Sequence, residues 1–223
     1  MTGTRDTSRS DAVIETRGGV TERPDDETHE TPPDDVVVRA ATPADLPGIV
    51  AMVRKAFGHG LEARLVERLE AERRVVAAVV AVSEQHIVGH ALLSRLSLTA
   101  PGRPALTALA LAPVAVAPEC QGFGVGSQVV RTCLRLADPA LPVFVIGDPA
   151  FYGRFGFEPA AGHRVRSRFD VASHFFMVRP ARPAPGRRDA LGRPHQPGGS
   201  GEPGAHGDSD ERTLDYPAAF DGG

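Results

Sequence analysis

Apolar positions in this chain repeat at two periods, and two long stretches show no period at all. Residues 1–35 are polar and acidic, and TERPDDETHETPPDD, 21–35, holds seven carboxylates against one arginine. Such a stretch buries too little apolar surface to offset chain entropy and reads as a disordered acidic tail. VVVRAA, 36–41, reads as a strand. Thr42, Pro43 and Asp45 then form a helix start, with a capping hydroxyl, proline at the first position and a carboxylate at the third. That helix runs to about Phe57 with Ile49, Val50, Val53 and Phe57 on one stripe, and Gly58–Gly60 end it. LEARLVERLEAE, 61–72, is a second amphipathic helix, with Leu61, Leu65 and Leu69 at helical spacing. VVAAVVAV, 75–82, the turn SEQH and IVGHALLSRLSL, 87–98, make a hairpin. ALTALALAPVAV, 105–116, is a long strand whose Pro113 implies a bulge or an edge. A helix over 125–137, a buried strand PVFVIG, 142–147, a short helix holding AFYGRF and further strand from Phe157 follow. Residues 181–212 are rich in proline and glycine and read as a flexible insertion. TLDYPAAF, 213–220, regains strand character. The order is β-α-α-β-β-β-α-β-α-β-β, without an internal repeat. It predicts one α/β domain over 36–180, completed by a final strand at 213–220.

Composition narrows the class. The 223 residues are 41% hydrophobic, enough for one domain with a real core plus tails. A net charge of −3 gives no sign of a nucleic-acid or anionic-membrane binder. No apolar run approaches the roughly 20 residues of a membrane-spanning helix, and the opening residues lack the apolar centre of a secretory signal. Two cysteines, Cys120 and Cys133, make neither a disulfide framework nor a metal site. The expectation is a cytoplasmic protein without a metal.

PECQGFGVGS, 118–127, sets three glycines within five positions between an apolar strand and a helix. The first backbone N–H groups of a helix have no internal partner, and the helix dipole favours anions there. Removing Cβ atoms lets a pyrophosphate approach. The Walker A loop is excluded because no lysine precedes Ser127. The dinucleotide fingerprint G-x-G-x-x-G is not matched by Gly122, Gly124 and Gly126, and no acidic ribose-binding residue follows. By itself the turn is either a phosphate cradle or a tight strand-to-helix connection.

Gln121-Gly122-Phe123-Gly124-Val125-Gly126 resembles the Q/R-x-x-G-x-G/A signature of the GNAT acyltransferase superfamily. LAPVAVAPE before it resembles that family's bulged fourth strand, and FYGRFGF, 151–157, its Tyr-x-x-x-Gly-Phe. The likeness is closer to a small bacterial branch of predicted N-acetyltransferases. In that branch a glycine and an acidic residue precede the tyrosine, here Gly147-Asp148, and the chain ends in Tyr-Pro-x-x-Phe, here Tyr216 to Phe220. The resemblance covers about 36–180 and 213–220. It implies a twisted, mostly antiparallel sheet with a splayed fourth and fifth strand pair and helices on both faces. It also implies acetyl-CoA, or another acyl-CoA, as donor to an amine acceptor of unknown identity, and leaves a homodimer open.

By that resemblance the backbone of Val114, Ala115 and Val116 faces pantetheine. The amides of Phe123, Gly124, Val125, Gly126 and Ser127 hold the pyrophosphate, and Gln121 and Gly122 shape the entry. Tyr152 is the expected acid: a phenol, ordinarily near pKa 10, stands beside a leaving thiolate whose conjugate acid is near 8.5. Its alternative is a core aromatic among Phe151, Phe155 and Phe157. The base is open; Glu62, with His59 nearby, lies where the family lines its acceptor pocket, and a solvated helix-start carboxylate is the other reading. His90 reads as a core histidine. Glu119 is expected to face solvent, and Cys120 has no base at a recognisable spacing. Arg164, Arg166 and Arg168 read as one strand face, available to an anion or simply solvated. Asp148 stands where many relatives of this fold have asparagine. The alternative to an enzyme is an acyl-CoA-binding regulatory module that has lost turnover; it would have no need of Tyr152.

Overall fold

The computed structural model describes residues 35–182 and 212–220. The acidic tail and most of the Pro/Gly-rich insertion lie outside the described residues. The chain opens with β1 (Val37–Ala40), a 3-10 turn, α1 (Leu46–Phe57) and α2 (Leu61–Ala71). Long strands β2 (Val75–Ser83), β3 (His86–Thr99) and β4 (Leu106–Val116) follow, then α3 (Val125–Arg135) and β5 (Val143–Ile146). The remainder is α4 (Pro149–Tyr152) and the short strands β6 (Glu158–Pro159), β7 (Val165–Arg166), β8 (Phe176–Arg179) and β9 (Arg212–Asp215).

These strands form one nine-stranded sheet with the path β1-β2-β3-β4-β5-β8-β6, while β9 joins β3 to β7. Only β4–β5 and β7–β9 are parallel, so the sheet is mostly antiparallel, with helices on both faces as expected. Asp45 starts the helical layer: its Oδ2 accepts from the Thr42 backbone N–H at 2.7 Å and from the Thr42 hydroxyl at 2.8 Å, while Arg39 donates to both carboxylate oxygens. That arrangement holds the Asp45 carboxyl well below the usual range, chiefly through Arg39. Glu84 and Gln85 both have positive φ, which closes the Ser83–His86 hairpin with a twist that matches its strands.

Two apolar clusters share the sheet. In β4 and β5, Leu109, Leu111, Val143 and Val145 belong to the larger one under the helices, and the alternate residues Ala108, Ala110 and Phe144 belong to the second. This is the period-two alternation of a strand buried on both faces. Leu214 and Tyr216 bring β9 and its following turn into the second cluster. The β2–β3 ladder ends at Val75↔Ser94, and β9 takes the vacated edge of β3 at Ser97–Thr99.

Several faces differ from expectation. α1 buries Ile49, Met52 and Val53, while Phe57 at its end is 38% exposed. α2 buries Ala63, Val66 and Leu69 at a spacing of three, while Leu61 lies off that stripe and is 47% exposed. α3 stops at Arg135 and leaves Leu136 exposed. The strand read over 213–220 ends at Asp215, since Pro217 has no N–H for a ladder. Ala218–Phe220 form a 3-10 turn, with Phe220 packed on Tyr216 at 5.0 Å between ring centroids. Arg164, Arg166 and Arg168 do not share a strand face: Arg164 has φ of 55°, only Val165–Arg166 is strand, and the Arg168 guanidinium lies over Phe169 and Tyr216. Among the described residues, no helix is long and apolar enough to cross a membrane.

Candidate functional site

The site begins where β4 leaves its neighbours. Leu93 pairs with Leu111 and Ala91 with Val114, so Leu92 alone faces Ala112 and Pro113. Pro113, lacking a donor, sits in this bulge as the sequence predicts. On the other side β4 and β5 pair only at Leu109↔Val143 and Ala110↔Phe144. Val114, Ala115 and Val116 therefore run beside β3 with no β5 partner.

The chain then turns through Pro118–Cys120 into the glycine segment. The Gln121 side-chain amide donates to the Val116 carbonyl at 3.1 Å and ties the turn to the end of β4. The three glycines differ in backbone conformation. Gly122 and Gly124 have φ of +84° and +82°, a region other residues avoid, and a Cβ on either would meet nothing within 4 Å. Gly124 caps α3 in that conformation. Gly126 has ordinary helical backbone, and a Cβ there would lie 3.4 Å from Val116 Cγ2 and 3.5 Å from Phe151 Cζ. The first N–H groups of α3 have no partner within the helix. Val125 itself is buried and directs its side chain at Gly89 of β3, so only its backbone belongs to the turn; Phe123 is half-buried.

A cavity of about 480 Å³ joins Val114 and Val116, the turn at Gly122, Gly124, Gly126 and Ser127, and Phe151 and Tyr152 of α4. Asp148 sets α4 in place: its Oδ1 accepts from the Ala150 N–H at 2.8 Å, and its backbone carbonyl accepts from Phe151 and Tyr152. The role of this residue, uncertain in the sequence, is that of a helix cap. The Tyr152 ring stands edge-on to Phe151 at 4.9 Å and to Phe157 at 5.7 Å. Burial pushes its phenol up to about 12.

Glu62 does not line this cavity. Its Oε2 is buried 3.0 Å from His59 Nδ1, an ion-pair distance without hydrogen-bond alignment. His90 is a core residue: Nδ1 lies 3.0 Å from the Val79 carbonyl, and burial pushes the imidazole down to about 4. Cys120 also lines the cavity, its thiol largely buried and pushed up, first by that burial and then by Glu119. Glu119 is exposed and paired with Lys55 at 2.6 Å. Sequence reasoning missed Arg154, which completes the cavity wall with its guanidinium 4.8 Å from the centroid of Phe151. The signal was the i, i+3 spacing of an aromatic and an arginine around Tyr152.

Residues 37–160 match the family model described as an acetyltransferase (GNAT) domain. The chain is 32% identical over 146 residues to the uncharacterized N-acetyltransferase YhbS of Escherichia coli strain K12, across 64% of this chain and 86% of that one. It is 38% identical over 126 residues to the uncharacterized N-acetyltransferase YjhQ of the same strain, across 54% and 68%. The crystal structure of Escherichia coli YhbS in complex with CoA aligns at 33% identity with a TM-score of 0.57, covering 64% of this chain and 79% of that one. A GNAT family acetyltransferase from Brucella melitensis, solved with acetyl-CoA, shares the fold at 23% identity and a TM-score of 0.53, covering 83% and 98%.

Proposed function

The chain belongs to the GNAT acetyltransferase family, and from that premise we propose that it transfers an acetyl group from acetyl-CoA to a primary amine by direct attack on the thioester. The observation that carries this reading is the cavity in which unpaired β4 backbone, an open glycine turn and Tyr152 meet. In it, Val114, Ala115 and Val116 pair with the pantetheine arm. The amides from Phe123 to Ser127 take the pyrophosphate, with Gln121 and Gly122 at the entry. The CoA held by the solved YhbS structure supports the same ligand here.

Tyr152 serves the departing sulfur. With its phenol at about 12, it stays protonated at any working pH and is a weaker acid than a thiol near 8.5. Complete transfer of its proton is uphill by about 5 kcal/mol, at 1.36 kcal/mol per pH unit. Tyr152 therefore acts by donating a hydrogen bond that strengthens as charge gathers on sulfur, and the proton shed by the attacking amine completes the balance. Glu62, beside His59 at the start of α2, takes the acceptor side as base. The chemistry leaves CoA and an amide, with no metal required.

The test is a thermal shift with acetyl-CoA, CoA and NAD, on wild type, Gly124→Glu and Gly124→Ala. A ligand at a hundredfold excess over its Kd stabilises by about 2.7 kcal/mol. Both CoA species should stabilise the wild type and NAD should not. Gly124→Glu should abolish the effect, with Gly124→Ala isolating the backbone contribution. A folded wild type that responds to neither CoA species sinks the reading. Glu62→Gln should lower turnover of a responsive amine and leave the CoA shift intact.

A further inference from the structure

The candidate acid touches a residue whose importance lies in what it lacks. Gly147 ends β5 beyond Ile146, and its N–H donates to the Phe175 carbonyl at 2.9 Å. Its backbone is of a kind any residue adopts, so conformational freedom does not explain the glycine. A Cβ placed there would collide with Tyr152 Cε2, and would lie 2.9 Å from Cδ2 and 3.3 Å from Cζ of the same ring. Gly48 and Gly89 leave comparably little room, but their neighbours are Ile87 and Val125 of the core. Among the described glycines, Gly147 is the one where an added Cβ would come within 3.0 Å of a residue of the cavity. The ring has little freedom to retreat, because Phe151 and Phe157 stand against it and Asp148 fixes the helix that holds it.

We propose that Gly147 is a positioning residue for Tyr152, its bare backbone forming the surface against which the ring packs so that the phenol belongs to the cavity wall. This rests on the role given to Tyr152 above. The collision is with ring carbons near a rigid aromatic group, so even one methyl group must displace the phenol from the wall. Alanine at 147 should then behave as a tyrosine defect in a chain whose CoA-binding turn is untouched.

The chain has two tyrosines and no tryptophan, so Tyr216→Phe leaves Tyr152 as the sole emitter and the sole phenol. In that background the quenching of tyrosine fluorescence by acrylamide and the phenol titration are compared with and without Gly147→Ala. We expect stronger quenching and a titration moved from about 12 toward the ordinary 10, with the acetyl-CoA thermal shift retained. With an amine acceptor, Gly147→Ala should lower kcat at unchanged KM for acetyl-CoA, and add nothing once Tyr152 is Phe. Quenching and titration both unchanged by Gly147→Ala would overturn the proposal. Should Gly147→Ala fail to fold, Gly147→Ala/Tyr152→Leu decides: recovered folding shows that the ring was the obstacle, and continued failure overturns the proposal. Full turnover by Tyr152→Phe would remove the acid role and leave the quenching result standing, so the two ideas fail separately.

Discussion

Gly124 and Gly126 are two positions apart in one turn, and alanine should move stability in opposite directions at the two. At Gly124, with φ of +82°, an alanine enters the left-handed region at a cost of about 1–2 kcal/mol. Its smaller unfolded-state entropy returns about 0.4–1 kcal/mol, leaving a net loss of about 1 kcal/mol. At Gly126 the backbone is helical, and the added methyl meets Val116 and Phe151 no closer than 3.4 Å, an ordinary contact. The helix preference for alanine, up to about 1 kcal/mol in an interior and less in a first turn, should leave a gain of about 0.5 kcal/mol. For a domain of this size, about 2–4 °C per kcal/mol turns that difference into roughly 3–6 °C between the two variants. Thermal melts of the free protein measure it directly. Repeating them with CoA separates stability from binding: Gly126→Ala keeps the Q/R-x-x-G-x-G/A pattern and should keep the ligand shift. If both variants melt on the same side of the wild type, the division of the glycines into a left-handed position and an ordinary helical one is wrong.

Three further outcomes follow from the site and the core. Tyr152→Phe should lower kcat by about a hundredfold, within the usual range for a hydrogen-bond donor aimed at charge that develops in the transition state, with little change in the thermal shift by acetyl-CoA. Arg154→Ala, which removes a cation from the cavity wall, should weaken CoA binding most at low salt, where exposed charges are least screened; equal loss at all ionic strengths would argue against a phosphate contact. His90 is neutral when folded because burial holds its imidazole near 4, whereas the unfolded chain takes up a proton near 6.5. The unfolded state therefore binds more protons between those values. Stability should fall as pH drops from 6.5 toward 4, by up to about 3 kcal/mol, and urea melts of His90→Leu should lose most of that slope.

Local chemistry was the legible part of the sequence. A Thr-Pro-x-Asp start, a glycine turn between strand and helix, and a proline-marked bulge each act within a few residues, and all three stand where the pattern placed them. What the sequence hid depends on neighbours far along the chain. Leu61 and Leu69 look alike by spacing, yet only Leu69 finds a core to enter. The arginines around 166 alternate on paper, but the segment is held as a strand for just two residues, and aromatic rings claim Arg168. The cavity was readable as separate parts, in β4, the turn and Tyr152. Arg154 joins it, and Gly147 meets the Tyr152 ring, only once α4 is folded back on the end of β5, which no period in the sequence encodes.

The exchange of partners along β3 sets a timetable for synthesis. Ser97–Thr99 are made early, with β4 soon available on one side, but their other neighbour is Thr213–Asp215. At about 5–20 residues per second, a ribosome needs on the order of ten seconds to deliver that last strand. Until then the nascent sheet presents an open edge beside the apolar residues that Leu214 and Tyr216 later cover. Delivery of β9, rather than formation of the glycine turn, is thus the event that closes this edge of the sheet. Chains cut short before residue 212 should aggregate or recruit chaperones even though every element of the cavity has already been made.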